Sequence, residues 1–183
     1  MKEKICIRNT ELAYVRIYES KSGGWVDLHP LHGEDELADN LQTCKLLADK
    51  GYQLEMLPLL EANETELRQQ LLADVFANKN PDLRINRDYI ADIKTPTKKA
   101  VTKTAIKDAI YRAGQQRVTI AIINLYQANY SFNHVKEALL STLQPGRNKS
   151  IRAVWIITFD NNLLIIPRKM AITKRFYTVL DLL

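Results

Sequence analysis

The chain has 183 residues, 46% of them hydrophobic and 26% charged, with 26 lysines and arginines against 21 acids for a formal charge of +5. That composition excludes a disordered or fibrous chain and predicts one domain over 1–183 with a sizeable core, while the mild basicity permits an anionic partner without specifying one. No apolar run nears the ~18 residues of a membrane span, residues 1–10 carry charge where a signal peptide needs an apolar core, and two isolated cysteines, Cys6 and Cys44, argue against a disulfide framework or a zinc site.

In chain order, alternation over 12–18 predicts a strand, followed by a Ser22-Gly23-Gly24 turn and a short apolar run over 25–28. Residues 34–50 predict a helix ended by Gly51, with Leu37, Leu41, Cys44 and Ala48 on its apolar stripe. Cys44 on that stripe is a core residue rather than a nucleophile. At 100° per residue Asn40 lies close to the stripe, Glu36 just beyond it and Asp39 further towards solvent. A strand over 52–59 and a helix over 61–78 come next. Residues 102–116 predict a helix with Ile106, Ala109, Ile110 and Ala113 inward, and the Ile/Val run of 118–125 predicts a buried strand. A helix over 132–143, broken at Pro145-Gly146, precedes a hairpin of 151–159 and 163–166, and Val179, Leu180, Leu182 and Leu183 form an apolar tail. This order predicts an α/β or α+β fold with a mixed central sheet flanked by helices. His29, His32 and His134 are scattered, and a loop role for the first two outweighs a site role.

The chemistry concentrates between Asn80 and Lys94. Residues 83–91 alternate around the polar turn Asn86 to Asp88, which predicts a β-hairpin. Counting outward from Arg87 pairs Ile85 with Tyr89, Leu83 with Ala91 and Asp82 with Asp92. Asp82, Asp92 and Lys94 then share one face, and Leu83, Ile85, Tyr89, Ala91 and Ile93 the other. Like charges opposite each other destabilise a strand pair. A Mg²⁺ ion turns that repulsion into coordination by hard oxygens, and a lysine one pleat away can stabilise a developing anion. Two acids, a metal and a lysine suit phosphodiester hydrolysis; solvated surface acids are the competing reading. Beyond the hairpin, Lys99, Lys103 and Lys107 recur every four residues and, with Lys98, suit a phosphate backbone if they face the site. Tyr126, Tyr130 and Phe132 either stack on bases or pack.

The signature Pro81-Asp82 with Asp92-Ile93-Lys94 resembles that of the PD-(D/E)XK nuclease superfamily. The likeness extends over about 30–168 through Leu46 to Tyr52, Asn80-Pro81-Asp82, Ile90 to Pro96, Ala113 to Gln116 and Val154 to Ile157, and is nearest to the C-terminal nuclease domains of contact-dependent growth-inhibition toxins. The resemblance implies a restriction-endonuclease-like core, with 1–29 as an N-terminal strand region and 169–183 as a C-terminal tail. It implies a metal-dependent nuclease in which Asp82, Asp92 and the Ile93 carbonyl hold Mg²⁺ or Mn²⁺ and Lys94 is the catalytic lysine. The acid that the first helix often supplies matches either Glu36 or Asn40, the latter a departure, and Gln116 matches a glutamine that points at the site unless it merely caps its helix. Structured RNA such as tRNA is the implied substrate, with DNA or a non-catalytic nucleic-acid-binding role as alternatives. An immunity protein is an implied partner. The implied location is the cytoplasm, or a target cell's cytoplasm after delivery within a larger secreted toxin.

Overall fold

The computed structural model describes residues 13–96 and 100–171. Parallel neighbours in this fold are joined across helices, as a parallel connection requires. The elements are β1 (Val15–Glu19), β2 (Trp25–Leu28), α1 (Leu37–Ala48), β3 (Gln53–Met56), α2 (Thr65–Leu71), β4 (Leu83–Ile85), β5 (Tyr89–Lys94), α3 (Lys103–Gln115), β6 (Ile120–Asn124), α4 (Phe132–Thr142), β7 (Ala153–Ile157), β8 (Leu163–Pro167) and α5 (Arg168–Ala171). Among the described residues, eight strands join one mixed sheet whose spatial order is the chain order. The parallel pairs are β2 with β3 across α1, β5 with β6 across α3, and β6 with β7 across α4.

The sheet separates two apolar cores. Cys44, Leu47 and Ala48 of α1 pack on Leu83, Ile85, Ala91 and Ile93. Ile106, Ile110 and Ala113 of α3 and Leu139 of α4 pack on Ala121, Ile123 and Ile156 from the other face. Alternation along β5 therefore sends Ala91 and Ile93 to the α1 side and turns Asp92 and Lys94 the other way, as the sequence predicts. Strand β6, buried at every residue, is the apolar run expected at 118–125.

Local chemistry sets the ends. Gly51, at φ +90°, closes α1: its N–H donates to Ala48 O and that of Tyr52 to Leu47 O, the paired bonds of a left-handed helix stop. The Thr102 hydroxyl caps α3 by accepting from the Ala105 N–H. Helix α2 is much shorter than the 61–78 periodicity suggests. Beyond Leu72 the chain is drawn towards the sheet, where Asp74 meets Arg84 at 2.6 Å. The apolar run at 25–28 is a full strand because Gly24 lets it close on α1; a Cβ there would stand 2.1 Å from Ala48 O. The expected tail residues Val179 to Leu183 lie outside the described residues. Among the described residues no helix is long and apolar enough to cross a membrane.

Candidate metal centre

The signature hairpin forms in the counted register, Leu83 opposite Ala91 and Ile85 opposite Tyr89, around Asn86 and Arg87 in left-handed conformation. The ladder stops before Asp82, so the expected pairing of Asp82 with Asp92 is not part of it. The Asp82 carbonyl accepts from the Leu57 N–H at 2.9 Å, and its carboxylate Oδ2 accepts from the Ile93 N–H at 2.5 Å. One carboxylate oxygen thus replaces the backbone acceptor that a continued β4 would supply, which anchors Asp82 against β5.

Lys94 closes the cluster. Its Nζ lies 2.8 Å from Asp92 Oδ2, 3.7 Å from Asp82 Oδ2, and donates to the Ile93 carbonyl at 2.8 Å. The ammonium therefore sits on the three oxygens that the signature assigns to a cation. Asp92 Oδ2, buried in a side chain only 1% exposed, is faced by the Lys94 ammonium, and among the described residues no backbone N–H or neutral side chain donates to it. Buried polar atoms are rarely left without a partner. A buried carboxylate oxygen balanced only by an ammonium, a second carboxylate and a carbonyl are hard donors that fit Mg²⁺ or Mn²⁺. The site holds two acids rather than three: among the described residues no group of three or more His, Cys, Asp or Glu is positioned for a metal.

Burial pushes the Asp92 carboxyl up to about 8, helped by the neighbouring Asp82 charge and opposed by Lys94. Burial works to lower the Lys94 ammonium, but the Asp82 and Asp92 charges outweigh it and raise it overall. The folded protein thus keeps a proton on Asp92 that the unfolded chain releases near pH ~4. The resulting stability is full below that pH and is lost as pH rises towards 8. Melting temperatures measured with chelator should fall across that window, and Asp92→Asn should flatten the fall. An equal slope in both proteins would show that Asp92 ionises normally.

Around this centre the other expected residues divide. Asn40 of α1 is buried and donates to Asp82 Oδ1 at 3.3 Å, so the first helix reaches the site through an amide. Glu36 is exposed at the N-terminus of α1, in the wall of the recess above. Gln116 caps α3 at its C-terminal end, and its Oε1 accepts from the Asn80 N–H at 3.2 Å. It borders the recess yet acts on the backbone leading into Asp82. Cys44 is in the core as expected, its thiol pushed up by burial.

Arg68 was not anticipated. It is buried on α2, with Nη1 donating to Leu60 O at 2.8 Å and Asn80 Oδ1 at 3.0 Å, and Nη2 donating to Lys79 O at 2.5 Å. Asn80 Nδ2 returns a bond to Leu60 O. Arg68 thereby ties α2 to the Asn80-Pro81-Asp82 segment. Its sign in the sequence is its spacing, one and two turns ahead of Leu71, Leu72 and Val75, which puts it on the apolar side of the helix. Charged hydrogen bonds are each worth ~1.5–3 kcal/mol net and do not add fully, so Arg68→Ala should cost about 3 kcal/mol and lower Tm by roughly 6–12 °C. Calorimetry checks this; a loss under ~1 kcal/mol would mean the segment holds itself in place.

The centre opens into two adjoining recesses of about 430 and 370 Å³. Glu34, Asp35, Glu36, Asp39 and Asp108 line them beside Asp82 and Asp92, an acid excess that concentrates cations. His32 also borders them, its Nδ1 2.6 Å from Leu57 O, while His29 is buried beside Tyr14. The lysine row departs from expectation. Lys103 pairs with Glu137 of α4 at 2.8 Å, and Lys107 lines a separate recess with Ser141 and Arg147, so both turn towards α4. Lys98 and Lys99 lie outside the described residues. The residues of α3 that line the site are Ala105, Asp108, Ala109 and Arg112. Their three- and four-residue spacing is the sign that this stripe leaves in the sequence. Tyr126 packs on the α1-side core, and Tyr130 and Phe132 contact each other edge-on at 5.6 Å.

The fold is shared with a chain of the CdiA-CT/CdiI toxin and immunity complex from Burkholderia pseudomallei. The two chains are 22% identical with a TM-score of 0.51, and the match covers 75% of this chain and 91% of that one. No model of a protein family matches this chain, and no curated protein does.

Proposed function

We propose that this chain is a Mg²⁺- or Mn²⁺-dependent phosphodiesterase of the interbacterial-toxin kind that cuts structured RNA such as tRNA. The observation that carries the reading is the Lys94 ammonium seated among Asp82 Oδ2, Asp92 Oδ2 and the Ile93 carbonyl at the floor of an open recess. Asp82, Asp92 and the Ile93 carbonyl would hold the metal, with Asn40 holding Asp82 in place. A bound divalent ion supplies Lewis acidity and lowers the pKa of water. Lys94, once released from the acids, neutralises charge gathering on the phosphate. Gln116 and Arg68 keep the Asn80-Pro81-Asp82 backbone in position.

The likeness to a chain from a toxin and immunity complex supports the toxin role and delivery into a target cell, with a cognate immunity protein as partner. Labelled tRNA, unstructured RNA, single-stranded DNA and duplex DNA, each incubated with Mg²⁺, Mn²⁺ or chelator, test the reading. Metal-dependent cutting of tRNA supports it in full. Cutting confined to DNA would make the protein a DNA-processing nuclease. A second reading rests on Asn40, an amide where a third acid would strengthen metal binding. Tight, metal-independent retention of nucleic acid without cutting would favour that non-catalytic module.

A further inference from the structure

We infer that Arg112 is the residue through which this site grips the phosphate backbone of its RNA, an inference that rests on the nuclease reading above. Five rim acids and the Asp82–Asp92 pair surround the recess, so a polyanion approaching it meets repulsion unless a cation faces it. Among the described lining residues the cations are Lys94 and Arg112. Lys94 is committed to Asp82, Asp92 and the Ile93 carbonyl.

Arg112 is free: it is exposed and, among the described residues, forms no ion pair or hydrogen bond through its side chain, although Asp108 stands one turn away on α3. Its helix is also held at a fixed place, because Ile106, Ile110 and Ala113 bury the core-facing side of α3. A guanidinium on a rigid helix presents a planar fork that matches two phosphate oxygens. The lysines expected to do this, Lys103 and Lys107, face α4 instead.

Fluorescein-labelled tRNA tests the assignment, with anisotropy titrations in chelator over a range of salt and steady-state cleavage in Mg²⁺. The proteins compared are wild type, Arg112→Gln, Arg112→Lys and Lys45→Gln, the last removing an equal charge beside Tyr18. Arg112→Gln should raise Kd and KM about tenfold with kcat nearly unchanged. It should also make log K against log salt shallower by about 0.7–0.9, the loss of one phosphate contact, while Arg112→Lys recovers the slope and Lys45→Gln keeps it. If wild type cuts tRNA and Arg112→Gln matches it in Kd, KM and slope, the inference falls and the nuclease reading stands. If wild type neither binds nor cuts tRNA, both fall.

Discussion

Asp92→Asn is expected to lower metal-dependent cleavage by about 10³-fold while leaving the fold intact. A metal centre supplies several kcal/mol of charge stabilisation to phosphoryl transfer, and each 1.36 kcal/mol is a factor of ten in rate. Asp92 is the more buried of the two proposed acid ligands, and its Oδ2 faces the Lys94 ammonium. The amide keeps the side chain's volume and removes its charge, so it tests coordination rather than packing. The metal-free protein should tolerate the change well, because a buried carboxyl that resists ionisation is gone. The signature is a crossed one: the variant melts no lower than wild type in chelator, yet loses the Tm rise that Mg²⁺ gives a protein whose folded state binds it. Cleavage rates and melting curves with and without Mg²⁺ measure both effects. Wild-type cutting by Asp92→Asn would remove this residue from the site.

Lys94→Met should also disable cleavage, by roughly 10²–10³-fold, the usual loss when a group that stabilises transition-state charge is removed. Its effect on the metal should have the opposite sign. In wild type the ammonium lies 2.8 Å from both Asp92 Oδ2 and the Ile93 carbonyl, so it competes with any cation for those oxygens. Methionine keeps most of the stem and removes the competitor, so Mg²⁺ should bind more tightly to Lys94→Met than to wild type, whereas Asp92→Asn binds it more weakly. In chelator Lys94→Met should be destabilised by about 3 kcal/mol above pH ~8, where Asp82 and Asp92 face each other without a counter-ion. The loss should shrink at lower pH as Asp92 takes up a proton. Titration calorimetry with Mg²⁺ decides it: weaker binding in both variants would make Lys94 a support of the site rather than a cation at its centre.

Much of the site follows from local rules. Alternation fixes the face of every residue in a strand, so counting from Arg87 was enough to align Leu83 with Ala91 and to put Asp92 and Lys94 on one side of β5. The stop at Gly51 and the inward stripe of α3 were readable for the same reason: caps and helical periodicity act within a few residues. The sequence also narrowed the contribution of the first helix to Glu36 or Asn40, and Asn40 is the one that reaches Asp82.

Where the reading strayed, distance along the chain is the cause. A four-residue spacing shows that Lys103 and Lys107 are aligned but not which neighbour they meet, and α4, some thirty residues on, took that side. Arg68 and Asn80 are joined across a turn of chain whose path no periodicity records, and α2 broke early because Asp74 found Arg84 on the sheet. Asp92 was recognisable as an acid on a strand, but its raised carboxyl depends on burial beneath α3 and on Asp82 brought opposite it. The sequence alone therefore determined the strands, the helix stripes and the signature acids, since these depend on backbone geometry between near neighbours. Only the packing of α1, α2 and α3 around the hairpin decided which cation stands free, which acid is hard to ionise and which amide completes the centre, because burial and charge act through space.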